Sequence, residues 1–147
     1  MTCGYRDVHL EIHSTIEALD LVQAVTEHIG RRLGFDDESL HWTAMAVRES
    51  VVNAIKHGNE SDPSKIVFID YCATPENEPA KFIVSVRDQG QGFDPDTVKD
   101  PLAEENMLRT SGRGVFMIRH FMDEVSMRRL PQGGMEMRMI KHIRPPA

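Results

Sequence analysis

The chain has 147 residues, 40% of them hydrophobic and 27% charged, with a net charge of -6. That is one domain's worth of sequence, with enough apolar residues for a real core. The acidic balance argues against nucleic acid as a partner, because phosphate backbones favour basic surfaces, and it leaves a basic protein partner open.

The first segment, "YRDVHLEIHS", alternates through Val8, Leu10 and Ile12 and predicts a half-buried strand. His9, Glu11 and His13 share its other face, where a solvent-facing pair of histidines is a commoner reading than a metal site. As an exposed edge this strand is also a candidate for homodimer pairing. Ser14 followed by Glu17 gives a capping-box pattern for a helix to Leu33, with Gly34 as its stop. The opening residues are too polar for a signal peptide, and no apolar run reaches membrane-spanning length. Cys3 and Cys72 have no metal or redox spacing, so the expected compartment is a reducing cytoplasm.

Asp36 or Asp37 opens the next predicted helix, which ends at Gly58 and contains "AVRESVVNAIKHGNES". Its apolar residues take nearly the whole circumference: Ala44, Val47, Val51 and Ala54 on one flank, Met45, Val52 and Ile55 on the other. At roughly 100° per residue, Glu49, Asn53, Lys56 and Glu60 fall within a wedge of about 60°. His57 lies on the same side. A narrow polar stripe on a helix otherwise in apolar contact meets either water or a polar ligand. Trp42, N-terminal to the stripe, reads as packing.

"KIVFIDYCAT" and "KFIVSVRD" predict a hairpin around "TPENEPA". A long polar stretch, Gln89 to Gly114, follows; loops of that length inside a compact domain are usually functional or mobile, and Asp94 to Ser111 are the expected lid. "VFMIRHFM" predicts a helix. "DEVSMRRL" and "MEMRMIKHI" predict a closing hairpin around "PQGG", with Met135, Met137 and Met139 on its core face. The expected architecture is an α+β two-layer sandwich, a mixed and mostly antiparallel sheet with helices on one face.

Three short motifs carry the chemistry. Glu49 and Asn53 form an ExxxN on the helix. "DQGQG", Asp88 to Gly92, follows a strand, and its glycines allow a sharp turn and close backbone approach. "SGRG", Ser111 to Gly114, leads into a helix whose first amides can hold an anion. Each alone has an ordinary structural explanation. No Gly-Lys-Ser/Thr sequence is present, which excludes a P-loop as phosphate site.

Together these segments resemble the Bergerat-fold (GHKL-type) ATPases, the superfamily of DNA gyrase and the histidine-kinase catalytic domains. Glu49–Asn53 is similar to the N box, "DQGQG" to the first glycine box and "SGRG" to the second. Within the superfamily, "ESVVNAIKHG" and "SGRGVFMIRHFMDEV" resemble the anti-sigma factor serine kinases of bacterial partner-switching systems. The resemblance implies that residues 1–147 are a single histidine-kinase-like ATPase and anti-sigma regulatory domain. It implies ATP and Mg²⁺ as cofactors, with Glu49 as the catalytic base and Asn53 as the metal ligand. Nucleotide contacts fall to Asn53, His57, Asp88, Gly90, Gly92, Arg109, Gly112, Arg113, Gly114 and Val115. Asp88 would accept from the adenine N6 amino group, which guanine lacks.

The implied activity is a serine/threonine protein kinase that phosphorylates a small anti-sigma-factor antagonist and sequesters a sigma factor. The alternative is an ATP-binding partner-switch module with little or no kinase activity and a non-sigma target. An orphan histidine-kinase catalytic domain would need a dimerisation helix pair with a phosphoacceptor histidine, and the sequence supplies none. One departure stands out: where the superfamily often has Gly-Thr near the final hairpin, Met135 follows Gly134.

Overall fold

The computed structural model describes residues 8–75, 79–91 and 113–143, with the side chains of residues 113–116 left out. Among the described residues the elements run β1 (Val8–His13), a 3-10 turn (Ile16–Ala18), α1 (Leu19–Arg32), α2 (Asp37–Asn53), a π-turn (Ala54–Gly58), β2 (Ile66–Thr74), β3 (Lys81–Arg87), α3 (Arg113–Phe121), β4 (Glu124–Arg129) and β5 (Met135–His142). The strands form one sheet in the order β1-β2-β3-β5-β4, and every neighbouring pair is antiparallel. Among the described residues the sheet is therefore wholly antiparallel rather than mixed. Its two hairpins, β2–β3 and β4–β5, are those the sequence indicates, and β1 is an edge strand. The expected lid, Asp94 to Ser111, lies outside the described residues.

The period-2 alternation of the strands sorts their side chains by face. Val67, Ile69, Tyr71 and Ala73 of β2, Phe82, Val84 and Val86 of β3, and Met135, Met137 and Met139 of β5 are all buried. They join Val47, Val51 and Ile55 of the N-box helix and Ile118 of α3 in the core. Full burial of side chains this size contributes about 1.5–3 kcal/mol each, so the helical layer is held mainly by its apolar flanks. Tyr71 belongs to the same layer. Its hydroxyl bonds Thr26 Oγ1 at 2.8 Å, and burial pushes the phenol up to about 12. The opposite face is charged: His9, Asp70 and Arg87 form a chain of ion pairs, with Arg87 stacked over the Phe68 ring.

Helix boundaries follow their caps, with two departures from expectation. Asp36 is the N-cap of α2, accepting from Ser39 N at 2.7 Å, and Gly34 sits in the left-handed region at φ 88° beyond the end of α1. Ser14, however, caps no helix. It is buried, its hydroxyl donates to Lys65 O, and a 3-10 turn headed by Thr15 precedes α1 instead. The second departure is the π-turn after Asn53. It widens the end of the helix, so the polar stripe does not continue straight through Lys56 and His57. Glu60 lies beyond the helix altogether, at φ 52°.

Candidate functional site

Glu49 and Asn53 lie one turn apart near the end of α2, both half-buried. The chain between and around them is fixed by Val47, Val51, Ala54 and Ile55, which are buried against the sheet. Asn53 is the last residue before the π-turn, and such turns often occur at functional positions. Its amide nitrogen is buried with no hydrogen-bond partner, one of two such side-chain atoms among the described residues; the other is Thr43 Oγ1. An unpaired buried amide costs roughly 1–3 kcal/mol, so a polar group arriving at Asn53 would relieve a standing penalty. His57, in the π-turn, is exposed.

Asp88 follows the last residue of β3 and is 8% exposed. Three glycines make that burial possible. A Cβ on Gly58 would lie 2.1 Å from Asp88 Oδ2, one on Gly134 2.2 Å from Asp88 O, and one on Gly90 2.0 Å from Gly58 O. Oδ1 accepts from the backbone amides of Gly90 at 2.9 Å and Met135 at 3.2 Å. Burial pushes the carboxyl above the usual aspartate range, opposed by these two amides and by the charge of Lys65. Asp88 thus has one oxygen tied to the backbone and the other lying beside a residue with no side chain.

The Met135 departure is explained by strand alternation. The side chain of Met135 joins the buried face with Met137 and Met139, while its N–H turns to Asp88. The contact from the final hairpin to Asp88 is therefore made by the main chain.

Of the remaining site residues, Gly90 is in the turn after Asp88, and Arg113, Gly114 and Val115 form the first turn of α3. Gly114 is thus inside the helix, not ahead of it. Gly92, Arg109 and Gly112 lie outside the described residues. Helix α3 packs beside α2, where Phe121 stacks on Trp42. A small cavity of about 240 Å³ opens behind Asp88, lined by Phe68, Arg87, Gln89, Leu130, Gln132 and Gly133. It falls below the usual ligand-pocket range of about 300–1,000 Å³, and its floor is the helix-free face of the sheet.

Sequence reasoning missed Asn59. It is fully buried and binds three partners from three segments. The signal for it was its place directly after the His-Gly that ends the N-box helix.

Residues 12–141 match the family of histidine kinase-like ATPase domains. The chain is 29% identical to the serine-protein kinase RsbW of Staphylococcus epidermidis and 27% identical to that of Staphylococcus aureus. Each alignment covers 93% of this chain and 87% of the relative. Among solved structures, the RsbU and RsbW domains of Rv1364c from Mycobacterium tuberculosis align with a TM-score of 0.64 at 20% identity. That match covers 97% of this chain, which spans 33% of the larger one. The mycobacterial sensor histidine kinase MprB aligns with a TM-score of 0.56 at 18% identity, over 95% of this chain and all of the other. These two likenesses carry the fold: a five-stranded antiparallel sheet with its helices on one face. With the N-box helix, the buried Asp88 and the match over residues 12–141, the chain belongs to the histidine kinase-like ATPase domain family.

Proposed function

We propose that the protein is an ATP-dependent serine/threonine protein kinase of a partner-switching system. It would phosphorylate a small antagonist protein and hold a sigma factor until that antagonist competes for it. The similarity to serine-protein kinases over 93% of the chain supports the reaction class. The observation that carries the reading is the construction around Asp88. A carboxylate is buried at a strand end among three glycines, with one oxygen tied by backbone amides. That oxygen pair suits an amino group presented by a flat ring, and a guanine carbonyl in the same place would be repelled.

Glu49 would take the proton from a serine hydroxyl as that oxygen bonds the γ-phosphorus and ADP leaves. Asn53, one turn on, has a side chain whose nitrogen has no protein partner, and amide oxygen is the hard ligand type that Mg²⁺ prefers. The ion, when bound at Asn53, supplies positive charge to the phosphates. The amides of Arg113, Gly114 and Val115 open α3 and would face the phosphates, where the helix dipole favours negative charge.

Calorimetric titration with Mg-ATP and Mg-GTP tests the reading. The wild type should prefer ATP, and Asp88→Asn should weaken ATP binding by roughly 1–3 kcal/mol, the cost of a spoiled buried hydrogen bond. Equal affinity for the two nucleotides would remove the adenine assignment.

A further inference from the structure

We infer that Asn59 is a positioning residue that holds the Asp88–Gln89 turn where it can read the base of the nucleotide. The inference rests on the reading of Asp88 as the acceptor for the adenine amino group.

Asn59 sits thirty residues before Gln89 in sequence and is 0% exposed. Its Oδ1 accepts from Gln89 N at 2.7 Å. Its Nδ2 donates both hydrogens, to Ser14 Oγ at 2.8 Å and to Ile66 O at 3.0 Å. Both donors and the acceptor are therefore used, and each goes to a different segment. Gln89 returns the tie, its Oε1 accepting from Ile66 N at 2.7 Å. The dipeptides Gly58–Asn59 and Asp88–Gln89 are thus clasped twice: Gly58 lies against the Asp88 carboxylate, and the Asn59 carboxamide bonds the next backbone amide.

The chain just after Asn59 shows what this clasp withstands. Glu60 and Ser61 are consecutive non-glycine residues in the left-handed region, at φ 52° and 57°. Such conformations persist only where the surroundings over-determine them. Here Ser61 N bonds Ile55 O at 2.7 Å, Asp62 N bonds Asn59 O at 3.0 Å, and the Asn59 side chain fixes the rest. A buried asparagine serving stability alone could satisfy itself within its own loop. This one reaches the residue beside Asp88.

The experiment measures affinity for Mg-ATP and Mg-ITP, whose base carries a carbonyl in place of the 6-amino group. The proteins are the wild type, Asn59→Ala, Asp88→Asn and the double variant. Asn59→Ala should lose roughly tenfold in ATP affinity, the size of effect a spoiled buried hydrogen bond gives, with ITP affinity little changed. The double variant should bind ATP no more weakly than Asp88→Asn alone, because both changes act through one group. Equal losses for ATP and ITP in Asn59→Ala, or additive losses in the double variant, would overturn the inference and leave Asn59 a stability residue.

Should Asn59→Ala fail to fold, Gln89→Ala takes its place. Its side chain is exposed, and its loss removes only the tie to Ile66. It should narrow the ATP:ITP ratio in the same direction by a smaller factor, and an unchanged ratio overturns the inference. An Asp88→Asn protein that keeps the wild-type ratio overturns the adenine reading itself, and the role of Asn59 with it.

Discussion

Trp42 of α2 and Phe121 of α3 stack with ring centroids 4.3 Å apart and planes 7° from parallel. His41 and His120 meet the same two rings edge-on, at 4.8 Å each. The stack joins the helix that carries Glu49 and Asn53 to the helix whose first turn carries Arg113, Gly114 and Val115. Aromatic pairs contribute about 0.5–1.5 kcal/mol beyond their buried area. Phe121→Ala should therefore destabilise the protein by about 1–3 kcal/mol, since both rings are only half-buried. Because Trp42 is the only tryptophan, its emission reports directly on this contact. The variant should shift the emission maximum and weaken Mg-ATP binding together. An emission spectrum identical to wild type would mean that the stack does not persist in solution.

The Asp88 carboxyl predicts an exchange of stability for binding. Its pKa is raised in the folded state, first by burial. For an acid this sign means that the ionised form is penalised in the fold. The penalty is absent below the unfolded value of about 3.9 and fully present above the folded one. Asp88→Asn keeps an acceptor for the Gly90 and Met135 amides and removes the charge. Relative to wild type, the nucleotide-free variant should gain in melting temperature at pH 7, and the gain should shrink as pH falls through the raised pKa. Melting curves across pH 3.5–7.5 measure this; a variant less stable at pH 7 than at pH 4, relative to wild type, contradicts it.

On the helix-free face, His9 has the opposite behaviour. Hydrogen bonds to Glu11 and Asp70 raise its pKa. A base with a raised folded pKa contributes stability that is fully present below the unfolded value of about 6.5 and is lost as pH rises through the folded one. The pair is largely exposed, so the contribution is ~0.2–1 kcal/mol. In an NMR titration the His9 ring should protonate above the free-histidine pKa, and Glu11→Gln should lower that pKa. Asp70→Asn should lower it too, with a residual cost at high pH from the lost Arg87 pair. An unchanged titration in both variants would place the histidine away from these carboxylates in solution.

Asn53→Ala separates metal-dependent binding from the rest of the nucleotide site. It removes the buried nitrogen that has no partner, and with it the standing penalty, so apo stability should not fall and should rise by at most about 1–3 kcal/mol. Affinity for Mg-ATP should fall more than affinity for ATP in chelator. Equal losses with and without Mg²⁺ would argue against Asn53 as the metal ligand.

The fold was legible in the sequence because its strands alternate cleanly. Val67, Ile69, Tyr71 and Ala73 announce one buried face, and "PQGG" with Gly133 and Gly134 at positive φ announces the last hairpin. The ExxxN helix and Asp88 stood out only through their joint resemblance to an N box and a first glycine box, since each motif alone has an ordinary structural explanation. What sequence did not disclose depends on contacts between distant segments. Ser14 looks like a helix cap, yet its hydroxyl is taken by Lys65 O and Asn59 Nδ2 from the other side of the chain. The π-turn after Asn53 leaves no mark on a periodicity of 3.6 residues per turn. Asn59 reads as a loop residue because its partners, Ser14, Ile66 and Gln89, are set by the sheet.

On the proposed mechanism, Glu49 takes the proton during phosphoryl transfer. Glu49→Gln keeps the shape of the side chain and leaves Asn53 in place, but it cannot accept a proton at neutral pH. The decisive measurement is transfer of labelled γ-phosphate from Mg-ATP to a candidate antagonist protein, with Mg-ATP affinity determined in parallel. A general-base role for Glu49 requires near-wild-type affinity and a fall in transfer of at least roughly 100-fold, the lower end of what such a base contributes. Transfer at the wild-type rate by Glu49→Gln would contradict it.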